Sequence, residues 1–368
     1  MDRRQVLAYR IAAQGLHREQ AGTDTAASLA VFDLGVQDGA RDVALLALTA
    51  RLDGTPSLVD DPELVLVWSH RGAQHYHRRA DLPAVTRSLI PLNEADAMAR
   101  LGWRAKQATD AGMTATDALF TAARAMRKAV PGATGKGAAS TAITKLVPEA
   151  LTYACRGCQA THILENLFRL CALPGGVRLV PGESPAVLAP LEGRGRIGTK
   201  PDPAAVTATI AAYLALHGPA TPGDAAGFVG TSAASAKTVL PPDLVPVDVD
   251  GKRAFIAAEN LAALENPPEP DLVRLLPPWD PFLQARDRAV LVPDRALQKK
   301  VWRMLGNPGV LLADGEINGV WRSKTSGKRL DFTISPFWTL SVAARKAAEE
   351  EAARIAKARG FTDVRVTW

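Results

Sequence analysis

Cysteine is scarce in this chain, with three in 368 residues. So small and odd a number excludes a disulfide-stapled scaffold and points to a reducing compartment. No apolar run is long enough to cross a bilayer, and no basic-then-apolar leader opens the sequence. A cytoplasmic protein with no membrane partner is therefore expected. There is no strict sequence period either, so any repetition must be architectural. What remains is ordinary for a soluble protein, 47% hydrophobic and 22% charged, with a formal net charge of +6 that favours an acidic partner without naming one. The length exceeds what one core usually organises, so two to four modules are expected.

Ala-rich amphipathic stretches alternate with hairpin-like pairs. The first unit offers helices over 3–16, 25–36 and 40–52, with Thr23 or Thr25 as N-cap of the second. It closes on a hairpin in which LVLVW runs into an Arg71-Gly72 break and a second run ending at Asp81-Leu82. Three helices and a hairpin make a winged helix. A second unit has helical patterns over 117–130, 138–156 and 161–173, then a Gly175-Gly176 turn and the strand VRLV. The third is the clearest. Helices over 204–218, 221–230 and 231–240, with Thr221 and Thr231 as caps, precede a hairpin turning at Asp250-Gly251, the order a winged helix-turn-helix requires. The Pro-rich ENPPEPD, 265–271, reads as a linker. The expected fold is mainly α with β-hairpins, an α+β class: winged helices over 1–95, 96–200 and 201–264, then an α+β, β-rich module over 265–368.

Several clusters carry chemistry. WSHRGAQHYHRRAD sets His70, Arg71, His75, His77, Arg78 and Arg79 beside Trp68 and Tyr76, and such a hairpin can lay guanidinium groups on phosphates or enter a minor groove. A solvated polar strand face explains the same residues. His75 and His77 share a strand face, yet no carboxylate or cysteine follows at ligand spacing. Cys155, Cys158, His162 and Cys171 place four soft ligands in one segment, but an apparent helix and the long gap before Cys171 favour buried thiols. No metal and no cofactor are assigned. In WDPFLQARDR, Asp280 before Pro281 marks a turn and Arg286-Asp287-Arg288 suits ion pairing. The helix with EEEAARIAKAR reads as a solvated amphipathic surface.

In succession, LGVQ at 34–37, WSHRGAQH at 68–75, THILENLFRL at 161–170, HGPATPGDAAGFVG at 217–230 and LLPPWDPFLQARDR at 275–288 resemble the winged-helix DNA-binding-domain family. Its enzymatic members include glycosylases of the azinomycin-resistance (AlkZ) and crosslink-unhooking (YcaQ) types. The resemblance implies a glycosylase that excises bulky N-alkylated purines or unhooks crosslinks, and double-stranded DNA is the expected partner of an expected monomer. It also implies a Gln-x-Gln or Gln-x-Asp signature, whose first position falls on Gln37 and whose second falls on Gly39. Gln37 and Asp38 are thus the catalytic candidates, and a polar helix end with Asp38 as its cap, or a non-catalytic contact with DNA, are the other readings of the pair. The C-terminal WRSKTSGKRL, with Arg322, Lys324, Lys328 and Arg329 around a Ser-Gly turn, resembles a hairpin that probes the duplex in those glycosylases, and a solvated turn explains the same residues. With Arg71, His75, Arg78 and Arg79, these are the candidate DNA contacts. A DNA-binding protein without catalysis and a protein-binding scaffold are the alternatives.

Overall fold

The computed structural model describes residues 1–18, 25–39, 42–54 and 56–368. The chain is mixed α and β and divides into two compact units: Met1–Asp61 with Ala212–Asp224 and Pro242–Trp368, and Pro62–Ala211 with Ala225–Pro241. The first division falls inside the expected 1–95 module, and the unit boundaries recur within 201–264.

The first unit is built on a five-stranded sheet. Its order is Val273–Leu276, Gly309–Ala313, Glu316–Ser326, Arg329–Pro336 and Asp363–Thr367, antiparallel except for the last, parallel pair. Helix Val342–Ala358 lies on one face. Ala344, Ala348, Ala352 and Ala356, spaced i, i+4, form a small-residue stripe that packs with Leu311, Trp321, Phe332 and Ile334. This helix is less solvated than its charge suggests, because Glu351 is buried and receives Arg18 through two hydrogen bonds of 2.8 and 2.9 Å. A second cluster joins Leu7, Ile11 and Leu16 to Phe282, Leu291, Val310 and Ile317. Helix Arg3–Ala13, capped by Asp2 through the Gln5 N–H, supplies the first two of these residues.

The expected helix over 25–36 does not form. Two 3₁₀ turns, Ala26–Ser28 and Ala30–Asp33, are separated by an extended Leu29, and Gly35 at φ +80° ends the run before the short strand Val36–Gln37. Of its two candidate caps, Thr25 precedes the first turn without a side-chain cap bond, and Thr23 lies outside the described residues. The third expected helix is Val43–Thr49, within the predicted span.

In the second unit, strands Leu64–Trp68 and Gln74–Arg78 pair antiparallel, with Val65 and Val67 packed against Leu82, Val85, Leu89 and Leu173. Helix Ala115–Ala129 is capped by Thr114 and buries eight residues. The helix expected over 138–156 ends early, at Thr144. Pro148 brings no N–H to continue it, and Thr152–Cys155 instead pairs antiparallel with Ala160–Ile163. Strand Ala160–Ile163 likewise replaces the start of the helix expected over 161–173, which begins only at Glu165. The Gly175-Gly176 turn leads into strand Val177–Leu179, as expected.

Along 201–264 the chain runs through helices Pro203–His217, Pro222–Val229 and Ala233–Lys237 to the hairpin Leu244–Val249 and Lys252–Ala257. Asp250 (φ +47°) and Gly251 (φ +79°) form its two-residue turn. Thr221 caps the second helix through the Asp224 N–H, but Ser232, not Thr231, caps the third.

Candidate functional site

Gln37 ends its short strand half-buried, and the next two residues turn toward helix Val43–Thr49. A Cβ on Gly39 would lie 3.3 Å from the Gln37 Nε2 and 4.0 Å from the Trp279 ring. The amide and the indole therefore share the space that a side chain at 39 would occupy. Asp38 faces the helix start, where its Oδ1 accepts the Ala44 N–H at 3.1 Å. Burial pushes the Asp38 carboxyl above its ordinary value against the lowering effect of that bond, and the nearby Asp42 adds to the rise.

Trp279 is held in the left-handed region (φ +61°), which a bulky residue adopts only when its surroundings impose it. The constraint is the residue after it. Asp280 is fully buried and bonded at 2.8 and 2.9 Å to the equally buried Arg51, and it also accepts the Phe282 N–H. Removing either partner would strand a buried charge, so the pair fixes this turn strongly. The following Arg-Asp-Arg triplet is likewise structural at its centre, where Asp287 takes two bonds from the buried Arg10. Trp279 is the site component that the sequence reading missed, since nothing local in WDPFLQARDR points to Gln37.

The 64–78 hairpin differs from expectation. His75 is 1% exposed, and Ser69 Oγ stands 2.9 Å from both His75 Nδ1 and His77 Nε2. Burial, followed by the neighbouring ring of His77, holds His75 well below the ordinary histidine range, and burial brings His77 down to about 4. A neutral, enclosed imidazole is not a surface contact for phosphate, so His75 is removed from the DNA-contacting set. Arg71 (φ +57°) lays its guanidinium 4.8 Å from the Phe228 ring and donates to the Phe228 carbonyl. Arg78 pairs with Asp81 at 3.2 Å. Arg79 donates to the Pro62 carbonyl and lines a nearby cavity.

That cavity, about 890 Å³, has an apolar wall of Leu82, Pro83, Ile90, Leu173, Pro174 and Leu191, and Arg79, Arg127, Arg194, Arg196, Lys200 and the Asp202-paired Arg87 also line it, with Glu192 the one acidic residue among the described lining. A Cβ on Gly176 (φ +75°) would come within 2.9 Å of Arg127 and 3.1 Å of Arg194, so the glycine lets these two side chains approach. Burial and then Arg194 push the Arg127 guanidinium below its ordinary value. Crowded cations of this kind suit a bound anion. The segment EGRGRIGTK supplies Arg194, Arg196 and Lys200 of this lining, and its alternation of glycine with arginine at 193–196 is the local signal for them.

In the first unit, the 316–336 hairpin presents Arg322, Lys324 and Lys328 on an exposed tip turning at Gly327 (φ +61°). Arg322 donates to the Gly306 carbonyl at 2.7 Å, and Arg329 is paired with Asp331 at 2.8 Å.

The chain is also similar to proteins already described. The family model described as "DNA glycosylase AlkZ-like" matches residues 31–358. An interstrand DNA cross-link repair glycosylase of Streptomyces sahachiroi is 30% identical over 174 residues, 44% of this chain and 45% of that relative. The match thus spans less than half the length of that relative. The solved structure of Streptomyces sahachiroi DNA glycosylase AlkZ superposes with a TM-score of 0.74 at 21% identity, covering 100% of this chain and 99% of that one, which establishes a shared fold. Because the family model covers most of its length, the chain belongs to the AlkZ-like DNA glycosylase family.

Proposed function

We propose that the protein hydrolyses the N-glycosidic bond of bulky N-alkylated purines in double-stranded DNA, including purines held in a crosslink. The observation that carries this reading is the convergence of the Gln37 amide and the Trp279 ring over Gly39. The curated relative is named for cross-link repair, which makes a crosslinked purine a natural substrate to try.

An N7-alkylated purine is cationic and departs as a neutral base, so the site needs little acid catalysis. The C1′–N9 bond breaks with its electron pair going to the base, water adds to C1′, and the water proton passes to a carboxylate or to solvent. Negative charge close to the sugar stabilises its oxocarbenium character. In this proposal Gln37 orients the water, Asp38 supplies the charge, and Trp279 offers an apolar plane for the displaced base. Gly39 leaves the second signature position without a side chain, so the adjacent carboxylate takes the place of the i+2 group.

The same reading takes the fold as tandem winged helices over 1–95, 96–200 and 201–264 with an α+β module over 265–368. Support is strongest at 201–264, where three helices precede a hairpin. Phosphate contacts are assigned to Arg322, Lys324, Lys328 and Arg329, to Arg71, Arg78 and Arg79, and to the cavity residues Arg127, Arg194, Arg196 and Lys200.

One observation favours a second reading, a DNA-binding protein without catalysis: the Asp38 carboxylate already serves as a helix cap for Ala44. Incubation with duplex carrying a 7-alkylguanine or a crosslink, followed by alkaline cleavage of abasic sites, separates the two. Release above the spontaneous rate is expected, falling by about 10²-fold or more in Gln37→Ala. Salt-dependent duplex binding with no release supports the second reading instead.

A further inference from the structure

One cluster plays no part in the site above. In the second unit, strands Thr152–Cys155 and Ala160–Ile163 bring Cys155 opposite Ala160 and Tyr153 opposite His162, and Gln159 at φ +54° helps reverse the chain between them. The hairpin thereby gathers Cys155, Cys158 and His162, whose ligand atoms all lie within 4.8 Å of one another. Donors of a tetrahedral zinc site stand roughly 3.3–3.8 Å apart, given Zn–S near 2.3 Å and Zn–N near 2.0 Å. Only a small contraction separates this cluster from that geometry.

Two further features suit a metal. The backbone N–H groups of Gly157 and Cys158 face the Cys155 sulfur, as outer-shell donors to a ligating thiolate do. His162 has its Nδ1 3.5 Å from Ser140 Oγ, while its Nε2 is buried with no hydrogen-bond partner among the described residues, a ring nitrogen that a metal bond would satisfy. Cys171 is not involved, because it is buried and its thiol donates to the Phe168 carbonyl. We propose that Cys155, Cys158 and His162 bind a soft, tetrahedral divalent cation of the zinc class, with the fourth position taken by water or an incoming ligand.

The metal would fix a hairpin that carries Tyr153, whose ring lies 4.7 Å from the Arg104 guanidinium beside the 81% exposed Trp103. Its role is thus to hold this exposed aromatic and cationic corner rigid.

The test begins with this 368-residue chain, purified in reductant without chelator and assayed for bound zinc. About one equivalent per chain is expected. Cobalt(II) added to metal-stripped protein should give thiolate-to-metal absorption in the near ultraviolet and tetrahedral bands in the visible. Cys158→Ser and His162→Ala should lower metal retention by roughly tenfold or more, and Cys171→Ser should leave it unchanged. The wild-type cobalt spectrum keeps the test decisive if a variant fails to fold. Absence of cobalt bands, uptake unaffected by Cys158→Ser, or a Cys155–Cys158 disulfide that still takes up no metal after reduction would each overturn the proposal.

Discussion

The 64–78 hairpin turns His75 and His77 into the interior of its unit, whereas the 316–336 hairpin carries Arg322, Lys324 and Lys328 on a solvent-facing tip. Both are antiparallel pairs rich in basic or histidine residues. They differ in how far burial extends along the strands. In the first, every residue of Leu64–Trp68 is buried, and Trp68 meets Phe168 edge-on at 5.5 Å. In the second, Glu316–Ser326 is covered as far as Trp321 and exposed beyond it. A run such as LVLVW, apolar at every position, marks a strand covered on both faces, and its partner strand follows it inside. The pattern of the strand opposite therefore decides whether a basic residue reaches solvent.

The largest expected consequence is on stability. His75→Glu would place an unpaired charge in an enclosed site and should cost about 3–5 kcal/mol, read as a shift in the urea midpoint. Lys324→Glu on the exposed tip should stay within about 0.5 kcal/mol. Equal costs would erase the distinction between the hairpins.

A pH titration acts on the same contrast without mutation. His77 titrates near 4 in the folded protein and near 6.5 when unfolded, so between those values the unfolded chain binds more protons. Its contribution is fully present above pH 6.5 and is lost as pH falls toward 4, by about 3 kcal/mol for this residue. His70 and His75, also depressed by burial, act in the same direction. The urea midpoint should fall across that window in the wild type and fall less in His77→Gln.

Local signals were legible where the chain's own chemistry sets the outcome. Asp250-Gly251 announces its two-residue turn, and the periodicity of 117–130 announces helix Ala115–Ala129. The helix over 25–36 misled because its apolar spacing is equally compatible with two short turns interrupted at Leu29. Gln37 was legible as a candidate, and the use of Asp38 as a cap was one of the three readings of that pair. What sequence could not show was contact between distant segments. Trp279 reaches Gly39 because the buried Arg51–Asp280 pair sets its backbone, and no spacing rule connects those positions. Cys155, Cys158 and His162 were legible as soft ligands but not as a group, because helices were assigned over 138–156 and 161–173 where a hairpin forms and gathers them.

The smallest of these effects concerns the exposed tip itself. If Lys324 and Lys328 meet phosphates, each neutralises one charge and releases condensed counterions, so the logarithm of affinity falls with the logarithm of salt by about 0.9 for every contact. Lys324→Ala combined with Lys328→Ala should weaken duplex binding across sequences and flatten that slope by about two. Arg78→Ala provides the counterpart in the other hairpin. That guanidinium is paired with Asp81, so removing it exposes a carboxylate as well as deleting a cation. The Arg78→Ala slope should change by one contact at most, and a change as large as that of the double lysine variant would move the main phosphate footprint to the 64–78 hairpin. Fluorescence anisotropy on one duplex across a salt series measures all three proteins, and because the stability of the lysine variant is expected to be unaltered, its loss of slope reports contact with DNA and not unfolding.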